Sequence, residues 1–151
     1  MKKQLSSDQV FYRHLISEKK KIAFVEDDMG LEQIMCSTIS TFGIPFDWEW
    51  FTSAEVLLKK VQESKCFLSE KPYDLVVLDI FLNGNVTGID LWNFFNSVYP
   101  KMPVLLMSSL SLHKIFEFLG KKQTYPCFLQ KPFRIKDLKS ILGSYLLYNP
   151  A

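Results

Sequence analysis

The chain has 151 residues, of which 48% are hydrophobic, 23% charged and 15% aromatic. That length suits one domain with a full core, and the composition excludes disordered, collagenous and low-complexity classes. The apolar runs are short, Leu75–Val76–Val77–Leu78 being typical, so no segment is long enough to span a bilayer.

Ser6–Ser7–Asp8–Gln9 stands where the apolar stretch of a secretory signal would begin, so a cytoplasmic protein without a membrane partner is expected. The net charge of +2 is uneven: residues 1–21 carry six basic and two acidic groups, residues 22–151 twelve and fourteen. The basic flank lacks interleaved aromatics and arginines, and nucleic-acid binding is not expected. Cys36, Cys66 and Cys127 are odd in number and widely spaced, which argues against a disulfide framework. His14 and His113 have no cysteine at ligand spacing, so a transition-metal site is not expected either.

In chain order, Ser6 with Gln9 forms a capping-box pattern, and Val10, Phe11, His14 and Leu15 follow helical spacing. Residues 1–20 are thus expected to be a partly helical extension, packed on the domain or serving as an arm for a homodimer or partner. Lys21–Val25 is a short apolar strand ending abruptly in Glu26–Asp27–Asp28. A helix follows, with Leu31, Ile34, Met35, Thr38, Ile39 and Phe42 on one face and Gly43 as its stop. Pro45–Phe51 alternates and is aromatic, a second strand, and Ser53 is the expected N-cap of a helix over Ala54–Lys65. Tyr73–Asp79 is a buried strand, Gly88–Tyr99 a helix and Met102–Met107 another buried strand. Leu110–Lys122 is a helix capped by Ser108 or Ser109, Tyr125–Gln130 a fifth strand, and Ile135–Leu147 a final helix.

Five strands therefore alternate with five helices. Continuous apolar strands need cover on both faces, which predicts a doubly wound, five-stranded parallel α/β sheet. Chemistry in such sheets gathers at the carboxyl ends of the strands. Here those ends carry Glu26–Asp27–Asp28, Asp79, Ser108–Ser109 and Lys131–Pro132–Phe133. Several carboxylates converging on one point call for a hard cation, and Mg²⁺ suits oxygen ligands. A lysine and a hydroxyl nearby supply partners for phosphoryl oxygens, which points to phosphoryl transfer onto a carboxylate.

These motifs resemble those of the receiver domains of two-component response regulators, over about residues 21–148. The likeness rests on Ile22–Asp28, Tyr73–Asp79, Pro103–Ser109 and Phe128–Phe133, four motifs in order, each ending a predicted strand. The resemblance implies the flavodoxin-like receiver fold. It implies that Asp79 accepts phosphoryl from a sensor histidine kinase or histidine phosphotransfer protein. Glu26, Asp27 and Asp79, with the Phe81 backbone carbonyl, would hold Mg²⁺. Lys131 would pair with the phosphoryl group, Ser108 would bond it after transfer, and Phe128 would be the aromatic switch. The Lys131–Pro132 bond is usually cis in the family.

The sequence departs from the common pattern where Asn83 replaces a proline four residues after the acceptor, and where Gly88 falls one position late. Phe81 stands where many receivers carry a polar residue, which implies slow autodephosphorylation. Little chain follows the last helix, so the output is expected to be a protein-binding surface near Phe118, Lys121, Lys122, Phe128 and Tyr145, and not a substrate-turnover enzyme. The alternative is a receiver-like scaffold whose contacts do not depend on phosphorylation. A flavin carrier of similar topology is disfavoured, because Glu26–Asp27–Asp28 would repel its phosphate.

Overall fold

A computed structural model describes residues 6–8, 19–64, 70–121 and 125–148. The expectations for Gln9, Val10, Phe11, His14, Leu15, Cys66 and Lys122 lie outside the described residues. From Lys20 onward the elements are β1 (Lys20–Val25), α1 (Gly30–Ser40), β2 (Phe46–Phe51), α2 (Ala54–Glu63) and β3 (Leu75–Asp79). They continue as α3 (Gly88–Val98), β4 (Val104–Ser108), α4 (Leu112–Leu119), β5 (Cys127–Gln130) and α5 (Ile135–Tyr148). The five strands form one parallel sheet in the order β2-β1-β3-β4-β5.

The unbroken apolar strands are explained by what covers them. Every residue of β3 and β4 is buried. Successive side chains point to opposite faces, so each central strand feeds two cores at once. Ala23, Val25, Val76, Leu78, Val104 and Leu106 pack with Leu57 of α2, Leu91 and Phe95 of α3, and Ile115 of α4. Ile22, Phe24, Leu75, Val77, Leu105 and Met107 pack with Met35 and Ile39 of α1 and with Leu138, Leu142 and Leu146 of α5. The edge strand β2 differs: Trp48 is exposed, while Trp50 stacks on Phe24 with ring centroids 5.3 Å apart. Among the described residues no helix is long and apolar enough to cross a membrane.

Of the expected caps, one stands in its position and one is corrected. Ser53 occupies the N-cap position of α2 with extended backbone, but its side chain makes no capping bond. Neither Ser108 nor Ser109 caps α4; Ser111 does, accepting from the Lys114 N–H at 3.5 Å. The reason lies one turn upstream, where Ser108 ends β4 and its Oγ accepts from the Leu110 N–H at 3.1 Å. That bond keeps the chain in a turn for two more residues, and the helix starts at Leu112. It ends at Leu119 because Gly120 takes φ +65°, a conformation open to glycine and costly for other residues.

Candidate functional site

The sheet register assembles the site. Val25 pairs with Leu78, so Glu26 follows β1 at the level of Asp79 at the end of β3. Asp79 pairs with Met107 and Ser108 with Gln130, which puts Ser108 and then Lys131 at the next step of the same edge. The Lys131 N–H donates to the Ser108 carbonyl at 2.8 Å, continuing the ladder one residue past β5. A slip of one residue would turn Asp79 to the other face, away from Glu26 and Lys131.

Glu26, Asp27 and Asp79 each offer a carboxylate oxygen, all within 4.8 Å of one another. Glu26 is 1% exposed and Asp79 8%, whereas Asp27 is open to solvent. Lys131 Nζ lies 2.5 Å from Glu26 Oε2 and 3.3 Å from Asp79 Oδ2, bridging the two buried members. Burial pushes Glu26 above the ordinary carboxylate range, with the Lys131 and Asp28 bonds offsetting part of this and the Asp79 charge adding to it. Burial opposes the charge on Lys131, but its bond to Glu26 and the charge of Asp79 outweigh that and hold its pKa above the usual lysine value. The donor set is all hard oxygen, two members are sunk at the sheet edge, and one opens to water. Those features fit a small divalent cation that keeps several of its own waters.

The remaining expected residues fall around this cluster. Ser108 is fully buried beside it. The Phe81 N–H donates to Asp79 Oδ1 at 3.3 Å, and its ring is 51% exposed. Phe128 is half-buried in β5, opposite Leu106, and packs against the core beneath α2, α3 and α4. The Lys131–Pro132 bond is cis. Of the expected output surface, Phe118 and Lys121 are exposed and Tyr145 is half-buried.

Three features of the loop after β3 were not read from the sequence. Asn83 Nδ2 donates to Asp27 Oδ2 at 2.7 Å. Glu55, in the first turn of α2, accepts from the Asn85 and Val86 N–H groups at 2.6 and 3.0 Å on the same oxygen; its own backbone N–H first, then those of Val86 and Asn85, lower its pKa. Thr87 and Asp90 form a reciprocal capping box at the start of α3. Only the last had a local signal, a threonine three residues before an acid; the first two join residues 56 and about 30 positions apart.

No family model matches the chain. Among curated proteins, NtrX-like response regulators of Rickettsia conorii and Rickettsia felis are 26% and 25% identical to it over 122 residues. The match takes in 80% of this chain and 24% of theirs, so the chain spans about a quarter of the length of these curated relatives. Among solved structures, the NtrX receiver domain from Brucella abortus is 21% identical with a TM-score of 0.65, covering 85% of this chain and 99% of that one. The phosphorylated cyanobacterial phytochrome response regulator RcpA is 17% identical with a TM-score of 0.69, covering 89% of this chain and 98% of that one.

Proposed function

The chain has the fold of a response-regulator receiver domain, and from that premise we propose that residues 21–148 act as a phospho-accepting switch. The observation that carries the reading is the convergence of Glu26, Asp27 and Asp79 with Lys131 at one edge of the sheet. Glu26, Asp27, Asp79 and the Phe81 carbonyl would hold Mg²⁺, which when bound neutralises charge on the phosphoryl oxygens.

An Asp79 carboxylate oxygen attacks the phosphorus of a phosphohistidine on a kinase or phosphotransfer protein. The new P–O bond forms as the P–N bond breaks, and the imidazole leaves and takes up a proton. Lys131, already 3.3 Å from Asp79, stays cationic through the step and pairs with a phosphoryl oxygen. Ser108 Oγ accepts from Leu110, so its own proton is free to serve a phosphoryl oxygen. Drawing Ser108 inward loosens the turn before α4, and Phe128, packed beneath α4, is the side chain that answers. The changed face, near Phe118, Lys121 and Tyr145, meets an output protein in the cytoplasm, and no separate substrate is turned over.

Intact mass after incubation with a small acyl phosphate tests this, with and without Mg²⁺ and beside Asp79→Asn. A Mg²⁺-dependent phosphoryl adduct absent from Asp79→Asn is expected. No adduct together with no Mg²⁺ binding would leave a phosphorylation-independent scaffold as the reading.

A further inference from the structure

Lys131 reaches two of the three carboxylates, Glu26 and Asp79. The third, Asp27, is the exposed one, and a different side chain reaches it: Asn83, whose Nδ2 lies 2.7 Å from Asp27 Oδ2. A carboxylate only accepts hydrogen bonds, so it is the NH₂ end of the amide that faces it. The bond takes up one oxygen of Asp27. Because the donor is neutral, it orients the carboxylate without supplying the positive charge that would compete with a cation, as a lysine there would.

Asn83 is itself held in place by the loop that carries it. At one end, the Phe81 N–H is tied to Asp79 Oδ1. At the other, the Asn85 and Val86 N–H groups converge on Glu55 Oε1, and the Gly88 N–H donates to the Ile80 carbonyl at 3.0 Å. Between them Gly84 takes φ +127° and passes so close to Glu55 that a Cβ there would lie 2.5 Å from Oε1. Glu55 is thus a clamp between α2 and the loop, and Asn83 is the tip the clamp presents to Asp27. The loop and the cation cluster are joined by a chain of contacts, Glu55 to the 84–86 backbone, then Asn83 to Asp27.

We propose that Asn83 is a positioning residue of the cation site, fixing the Asp27 carboxylate through its side-chain amide, with Glu55 acting through it by clamping the loop. The inference rests on the reading of Glu26, Asp27 and Asp79 as a Mg²⁺ site. An exposed carboxylate otherwise samples several orientations, and holding it in one raises the affinity for a metal; partners of this kind typically change metal affinity by ten- to a hundredfold. Since Asp27 is open to water, the lower end is expected.

The test is calorimetric titration of the whole chain with Mg²⁺, on wild type, Asn83→Ala, Glu55→Ala and the double variant, with Mg²⁺-free melting run alongside. Asn83→Ala is expected to bind Mg²⁺ about tenfold more weakly while melting within a few degrees of wild type, because its side chain is exposed. Glu55→Ala is expected to weaken Mg²⁺ binding as well, and the double variant to bind no more weakly than Asn83→Ala, since Glu55 works through Asn83. The proposal is overturned if wild type binds Mg²⁺ and Asn83→Ala binds it equally well, or if Glu55→Ala costs as much affinity with Asn83 removed as with it present. Wild type that binds no Mg²⁺ at all overturns the cation-site reading itself, and this inference with it.

Discussion

Gly88 opens α3 against the backbone at the end of β3, and replacing it with alanine tests how tightly the site is locked to the fold. A Cβ at Gly88 would stand 2.1 Å from the Asp79 carbonyl oxygen, 2.8 Å from the Asp79 carbonyl carbon and 2.9 Å from the Ile80 Cα. All three are main-chain atoms of a buried segment, so no side chain can turn aside. Ordinary contact begins near 3.4 Å, and the first turn of α3 must therefore retreat by about 1 Å. Retreat breaks the Gly88–Ile80 hydrogen bond of 3.0 Å, worth about 1 kcal/mol. Overpacking of this kind costs about 1–3 kcal/mol and at times more, while alanine returns at most about 1 kcal/mol in helix propensity. The net expectation is a loss of about 3 kcal/mol, or about 10 °C in melting temperature for a domain of this size. Urea unfolding at unchanged slope measures it. Gly43→Ala is the control, because Gly43 has φ +66° but open space around it, so alanine there meets only the left-handed penalty of about 1–2 kcal/mol. A Gly88→Ala midpoint within about 1 kcal/mol of wild type, or no lower than that of Gly43→Ala, would refute the reasoning. The clash also falls on the carbonyl of Asp79 itself, so the yield of phosphoryl adduct should drop with stability.

Lys131→Met should destabilise the Mg²⁺-free protein at neutral pH by about 2–4 kcal/mol, since it strands two buried carboxylates side by side. Added Mg²⁺ should close most of that gap in urea midpoints, and an equal deficit with and without Mg²⁺ would count against the cation site. Glu49 accepts from Lys60 Nζ at 2.5 Å and from the Tyr73 hydroxyl. Burial pushes its pKa up, yet the Lys60 and Tyr73 bonds and the charge of Lys21 prevail and hold it below 4.5. A carboxylate depressed on folding stabilises fully above its unfolded value and loses that contribution as pH falls through the lowered one. Glu49→Gln should therefore cost about 1 kcal/mol at pH 7, with the gap to wild type shrinking below about pH 4. A gap that widens on acidification would contradict the sign.

The sheet and the strand-end residues were legible because each rests on short-range pattern. Leu75–Leu78 reads as a strand covered on both faces, and Asp79 is where its apolar run stops. The same logic marks Glu26 after Val25 and Ser108 after Met107, while Lys131 follows Gln130, one residue beyond the apolar run of β5. Parallel register then converts four separate stops into one site, a step the sequence encodes through the alternation of two cores. Helix ends were less legible. Ser108, Ser109 and Ser111 are equal candidates by residue type, and the choice fell to Ser111 because Ser108 Oγ was engaged with Leu110. The clamp by Glu55 was not legible at all, since a glutamate in the first turn of a helix is already explained by the helix dipole. The need for glycine at position 88 was visible only as spacing, and its physical cause is the backbone contact with Asp79 and Ile80.

The site therefore has two mechanical parts. Glu26, Asp79 and Lys131 hang from sheet register at the ends of buried strands, and moving any one of them costs the fold as a whole. Asp27 and the loop from Phe81 to Thr87 lie in solvent-facing turns, tied by Asn83, Glu55 and the Thr87–Asp90 cap. Substitutions in the first part should shift stability and chemistry together, as Gly88→Ala does by pressing on Asp79. Substitutions in the second should alter cation affinity while leaving the fold in place. The proposed switch would use that division: charge arriving on Asp79 would meet a rigid strand end on one side and an adjustable set of turns on the other. Ser108 and the turn it opens, held to Leu110 by one hydroxyl-to-backbone bond, belong with the adjustable part, so a phosphoryl group that bonded Ser108, as proposed, would act directly on the start of α4.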